Sequence, residues 1–154
     1  MSRTQPQVPI EIVEKYIEAG HEWPATSRRI AEWAIQNKEW TAPHASLVNL
    51  CADQIARAMS EQYITDPQGR RVRAKHVVKT KEGGKQLYLW DDIRTTDHEH
   101  MEIALRQRRE QIVADCSQLK IDVDSYNENR KPESPIQMVF DFTDDLIELA
   151  FASA

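Results

Sequence analysis

No stretch of this 154-residue chain approaches the roughly 20 consecutive apolar residues that a membrane-crossing helix needs. The opening MSRTQPQVPIEIVEK also lacks the apolar run of a secretory signal, so the expected location is the cytoplasm. There are only two cysteines, Cys51 and Cys116, far apart and without CxxC spacing. Each falls on the apolar side of a predicted helix, which favours buried, reduced thiols over a disulfide. GxSxG, P-loop, Rossmann-glycine and HExxH patterns are all missing, and neither cysteine has a histidine close by in sequence to activate it. Nothing in these absences points to an enzyme, and no cofactor is expected. After Pro132 there is no Lys or Arg at all, while five acids remain: Glu133, Asp141, Asp144, Asp145 and Glu148.

What is present is an ordinary globular composition, 40% hydrophobic and 29% charged, with length enough for one domain plus an appendage. The net charge of −5 comes wholly from the acidic end, because residues 1–131 hold 20 acids and 20 bases. The stretch from Arg70 to Lys85 departs from that balance. It carries seven bases (Arg70, Arg71, Arg73, Lys75, Lys79, Lys81 and Lys85) against one acid, Glu82. A cationic element is thus set inside an acidic protein.

Hydrophobic spacing divides the chain into regimes. Ile10, Val13 and Ile17 predict a short first helix stopped by Gly20. A second enters at Trp23-Pro24-Ala25-Thr26-Ser27 and continues through Ile30, Trp33 and Ala34 toward Trp40, before Thr41-Ala42-Pro43. From Ala45 to Tyr63 the stripe Leu47, Leu50, Cys51, Ile55, Ala58 and Met59 predicts one helix, or two joined near Asn49. Asp66-Pro67-Gln68-Gly69 is turn chemistry, after which the period changes to two. Val72, Ala74, His76 and Val78 alternate with Arg71, Arg73, Lys75 and Lys79, giving one continuous strand from Arg71 to Thr80 with a basic face. Glu82-Gly83-Gly84 turns the chain, and Gln86 to Trp90 returns as a second strand supplying apolar support. Helical periodicity resumes from Thr96 to about Arg130, with Thr95, Thr96 or Asp97 as the N-cap. Leu105, Ile112, Leu119, Val123 and Tyr126 form an apolar seam that also includes Cys116 and is broken at Arg109. Beyond it, Pro135 to Phe142 is expected to be extended and Asp144 to Phe151 helical.

Helices followed by a turn and a basic two-stranded hairpin, here Pro24 to Ile93, resemble the winged helix-turn-helix superfamily in element order. That resemblance implies a DNA-binding domain whose hairpin wing touches the phosphate backbone. The physical warrant is that Arg and Lys aimed from one β face neutralise phosphates and release counterions. Arg71, Arg73, Lys75 and Lys79 lead the candidates, with Arg70, Lys81 and Lys85 beside them. The preceding helix offers Gln54 and Arg57 to base edges, although Asp53 and Glu61 leave it little positive charge. The competing reading is a solvated strand face, charged only to prevent edge-to-edge pairing.

The seam Leu105, Ile112, Leu119, Val123 and Tyr126 must be covered, either by a second copy in a homodimer or by the chain's own N-terminal part. His98 and Glu102 share a helix face as metal-ligand types, but a helix start explains the acids of Asp97 to Glu102 and no metal is expected. Gln137 to Phe142, QMVFDF, resembles the short peptides by which bacterial replication and repair proteins dock on the sliding clamp, so a protein partner there is an alternative to an ordinary strand. The acidic end is also a candidate to fold over the basic face. The sequence therefore predicts a mainly α protein with a β-hairpin. Its parts are a winged-helix-like domain (residues 1–94), a long helix (95–131) and a short acidic C-terminal segment (132–154). The expected role is DNA binding, regulatory or accessory to replication, as a homodimer. The alternative is a non-enzymatic assembly subunit acting through the long helix and the acidic segment.

Overall fold

The structure, a computed structural model, describes residues 8–42 and 46–153. The chain forms two compact units that divide between Ala56 and Arg57, and each is described by itself.

In the first unit, α1 (Val8–Glu18) and α2 (Ser27–Gln36) pack on one another through Ile12, Tyr16, Ile30 and Ala34. The buried side of α1 is the one carrying Ile12 and Tyr16. Ile10 and Ile17, expected on the inward face, are exposed, while Val13 is half-buried. Aromatic rings decide this: Tyr16 stacks on His21 with centroids 4.8 Å apart and meets the edge of Trp33 at 5.5 Å. Thr26 caps α2 by accepting from the Arg29 backbone N–H. The helix ends earlier than its apolar spacing predicts. Asn37 donates its side-chain amide to the Trp33 carbonyl at 2.8 Å, and Lys38 turns left-handed at φ 57°. Pro43 and Ala45 lie outside the described residues.

A single helix, α3 (Ser46–Ser60), crosses from the first unit into the second, which answers the one-or-two-helix question. None of its residues is buried, and Leu47 is 79% exposed. Cys51 on this helix is exposed and Cys116 half-buried, both free, so the expectation of two buried thiols is corrected.

The second unit carries the sheet structure, and here the continuous strand Arg71 to Thr80 is corrected. β1 (Tyr63–Thr65) pairs with β2 (Arg71–Arg73) in one small hairpin, and β3 (Lys75–Glu82) pairs with β4 (Lys85–Asp92) in another. Ala74 is the break. Its N–H donates to the Gln62 carbonyl of the first hairpin, and its carbonyl accepts from the Ile93 N–H of the second, both at 2.9 Å. With 0% exposure at that junction, alanine is the side chain that leaves room for both sheets. Asp66 organises the first turn, its carboxylate accepting from the backbone N–H of Gln68 and of Arg70. Gly83 and Gly84, both at positive φ, close the second hairpin in two residues, the chemistry of a primed turn.

α4 (His98–Arg130) is capped by Asp97, which accepts from the His100 N–H, and runs for 33 residues, about 50 Å. Its first turns lie along the outer edge of β3. His100 Nε2 donates to the His76 carbonyl, buried Ala104 permits the close approach, and the Gln107 amide bonds both the N–H and the C=O of Lys79 at 2.8 and 2.9 Å. Gln107 thereby occupies the place of a neighbouring strand. At the other end, Asn127 uses its amide in the same way on Ile136. Residues 137–142 follow without strand pairing, so no ordinary strand forms there among the described residues, and α5 (Thr143–Ala152) ends the described chain with no buried residue. Helices plus β-hairpin is the architecture, with one hairpin more than the sequence reading held. Among the described residues, no helix is long and apolar enough to cross a membrane.

Candidate nucleic-acid interface

The β3–β4 register fixes which side chains share a face. Lys75, Val77, Lys79 and Lys81 stand directly across from Asp92, Trp90, Tyr88 and Gln86, so these eight form one side of the hairpin. His76 and Val78, on the other side, are buried. The alternation read from the sequence therefore holds within β3. What it missed is that Tyr88 and Trp90 belong to the basic face.

On this face a cleft of about 230 Å³ opens between the hairpin and the first turns of α4. Trp90 and Val77 line it from the hairpin, Arg73 and Lys79 supply positive charge, and Gln107 and Arg108 come from α4. Burial, and then the like charge of Arg73, lower the Arg108 pKa from its ordinary value, while the Tyr63 hydroxyl works in the opposite direction. A guanidinium stays protonated regardless, and among the described residues no Asp or Glu lines the cleft. Among the described residues neither Arg73 nor Arg108 has a carboxylate within ion-pair distance, and the same is true of Lys79, Lys81 and Lys85. Such a cleft suits an anion.

Not all seven predicted cations are available. Arg70 is tied to Asp66 at 2.8 Å and serves the turn. Lys75 is tied to Asp92 at 2.7 Å, and Arg94 grips the same carboxylate at 2.7 Å. These contacts hold the Asp92 carboxyl far below the usual range, with the Arg94 side chain contributing most and Lys75 next. Lys75 thus locks the base of the hairpin, sharing the Asp92 carboxylate with Arg94. Arg71 is exposed and lies over the Tyr63 ring, 4.2 Å from its centroid. Lys81 and Lys85 sit exposed near the hairpin tip. Gln54 and Arg57 are exposed on α3. Gln54 belongs to the first unit, and Arg57 opens the second without lining the cleft.

Arg108, Tyr63, Tyr88 and Trp90 are the residues that sequence reasoning overlooked. The signal for the last two was present, since a period of two from Gln86 places positions 86, 88 and 90 together. For Arg108 no local signal existed, because which side of a 33-residue helix meets the hairpin is decided by His100, Ala104 and Gln107.

The seam residues occupy a different side of α4, roughly a third of a turn from the one that meets β3. Leu105, Ile112, Leu119 and Tyr126 are exposed and Val123 is half-buried, so among the described residues most of the seam is uncovered. Among the described residues no group of three His, Cys, Asp or Glu side chains could hold a metal. His98 Nε2 is 3.9 Å from Glu102, and His100 is occupied by the His76 carbonyl. The first unit has a larger hollow, about 410 Å³, lined by Ile12, Ile30, Ala34 and Trp40 among others, with no titratable side chain in its walls. Compared with known proteins, the chain matches no family model, no curated protein and no solved structure.

Proposed function

We propose that this protein binds nucleic acid through the basic face of the β3–β4 hairpin, with Arg73, Lys79, Lys81 and Arg108 contacting phosphates. The observation that carries the reading is the convergence of Arg73 and Arg108, from two separate elements, on one cleft without an intervening acid. Folding alone gains nothing from juxtaposing two uncompensated guanidiniums, whereas a bound phosphate would neutralise both. In this reading the hairpin works as the wing of a winged-helix-like DNA-binding protein of the cytoplasm, regulatory or accessory to replication, steadied by α4. Changing Arg73, Lys79 and Arg108 together to Glu should abolish salt-sensitive retention on DNA. The doublet Arg70→Glu and Lys75→Glu should act mainly on stability. Retention untouched by the triple change would remove this face from consideration.

A second reading is supported by the uncovered seam of α4, where Ile112 is 51% exposed. An apolar stripe repeated over three heptads gains most from a second copy of itself, giving a homodimer. As a non-enzymatic assembly subunit the chain would also present Gln137 to Phe142. That segment lacks a strand partner and leaves Val139 exposed, which suits docking into another protein's groove. A peptide of residues 134–144 should then compete with the whole protein for that partner. The masking idea finds no support in the hydrogen bonding. Among the described residues, the 132–142 stretch is anchored at Asn127, 20 residues beyond Gln107 and thus about 30 Å along α4.

A further inference from the structure

We infer that the preferred ligand of this face is single-stranded nucleic acid, with bases stacked on Tyr88 and Trp90 and the strand's phosphates held by Lys79, Lys81, Arg73 and Arg108. The inference rests on the nucleic-acid reading and narrows its ligand. Cross-strand pairing sets Lys79 directly opposite Tyr88, and Val77 opposite Trp90. Cations and aromatic rings are therefore interleaved on one surface, not segregated into a charged face and an apolar one. Tyr88 is 56% exposed, and no ring contact or hydrogen bond within the chain occupies its side chain among the described residues. Core packing does not account for an aromatic ring left open beside the unpaired Lys79 and Lys81. Trp90 forms the wall of the cleft into which Arg73 and Arg108 project, so a base lying against the indole would place its own phosphate near the two guanidiniums.

The alternation also discriminates between strand states. A duplex keeps its base faces inside its own stack and presents only edges and phosphates, so it can use the lysines but not the rings. An unpaired strand offers both, because every base has a π face and its backbone is free to follow the hairpin. Same-face neighbours on β4 are separated by about 6.6–6.8 Å, room for bases to lie on Tyr88 and Trp90 separately. Stacking of this kind tolerates any sequence, and among the described residues on this face of the hairpin Gln86, opposite Lys81, is the one side-chain amide.

The test uses the full chain and fluorescence anisotropy with three labelled probes of about 20 nucleotides: a mixed-sequence DNA strand, the RNA strand of the same sequence, and the DNA duplex. Either single strand should bind at least about tenfold more tightly than duplex at matched salt. Tyr88→Leu keeps an apolar side chain suited to a strand but removes the ring. It should cost single-strand affinity about tenfold and leave duplex affinity unchanged, and Tyr88→Phe should retain the wild-type preference. Equal affinity for strand and duplex, with Tyr88→Leu silent, would overturn the single-strand inference while leaving phosphate binding in place. Failure of all three probes to bind would overturn both.

Discussion

Two residues determine how the basic segment is presented. Ala74 transfers the chain from one hairpin to the other, its N–H and C=O serving different sheets at zero exposure. Enlarging it to Leu should cost about 1–3 kcal/mol through overpacking, read by denaturant unfolding, and should disturb both hairpins together. Asp92 is bonded by Arg94 and Lys75 at the hairpin base, and its carboxyl is held below the ordinary value of 3.8. A depressed folded-state pKa contributes stability that is complete above the ordinary value and disappears only as pH falls through the depressed one. Asp92→Asn should therefore lower the melting temperature at pH 7, and the gap between variant and wild type should close only well below pH 3.8. A gap unchanged down to pH 2 would deny Asp92 that role. Arg73 and Arg108 are different, since their charges remain unmatched and are thus available to a ligand.

At the scale of elements, α4 meets the hairpin through one side and leaves most of its apolar seam uncovered. One side guards the edge of β3, where Gln107 satisfies both backbone groups of Lys79. Gln107→Ala should leave those groups without their partner, destabilise the unit by about 1–3 kcal/mol, and speed hydrogen exchange at the Lys79 amide more than at Val77. The hairpin, its glycine turn and the extent of α4 were legible in the sequence, because period two, Gly83-Gly84 and a run without Pro or Gly are local signals. The split at Ala74 was not legible. Alternation continues through it, and only the positions of Gln62 and Ile93 reveal that the strand changes partner. Ion pairing was equally hidden: Lys75 and Asp92 are 17 residues apart and become neighbours only through register. The clustering of Arg108 with Arg73 needed the tertiary contact of a helix with a strand edge. The inward face of α1 was misread because spacing weighs Ile10 and Ile17 above Tyr16, whereas the aromatic contacts with His21 and Trp33 favour Tyr16.

For the whole molecule, the seam and the cationic cleft adjoin on α4, because Arg108 lines the cleft and lies three residues after Leu105 and four before Ile112, so self-association through α4 would set the partner helix beside the cleft. A pair of chains would bring two cationic faces to one ligand, and the linked sites would bind more tightly than either alone. Ile112→Asp with Leu119→Asp should convert a dimer to a monomer in sedimentation, without loss of helicity and with a larger loss of affinity for long probes than for short ones. A wild-type chain that sediments strictly as a monomer would contradict the seam's assignment. The central claim, that phosphates are held by Arg73, Lys79, Lys81 and Arg108, is tested most directly by the slope of log affinity against log salt on a single-stranded probe. Each phosphate contact contributes about 0.7 to that slope. Arg73→Ala and Arg108→Ala should each reduce it by about that amount, whereas Arg70→Ala, whose charge is already paired with Asp66, should leave it unchanged. A slope that does not respond to Arg73 or Arg108 would contradict the account.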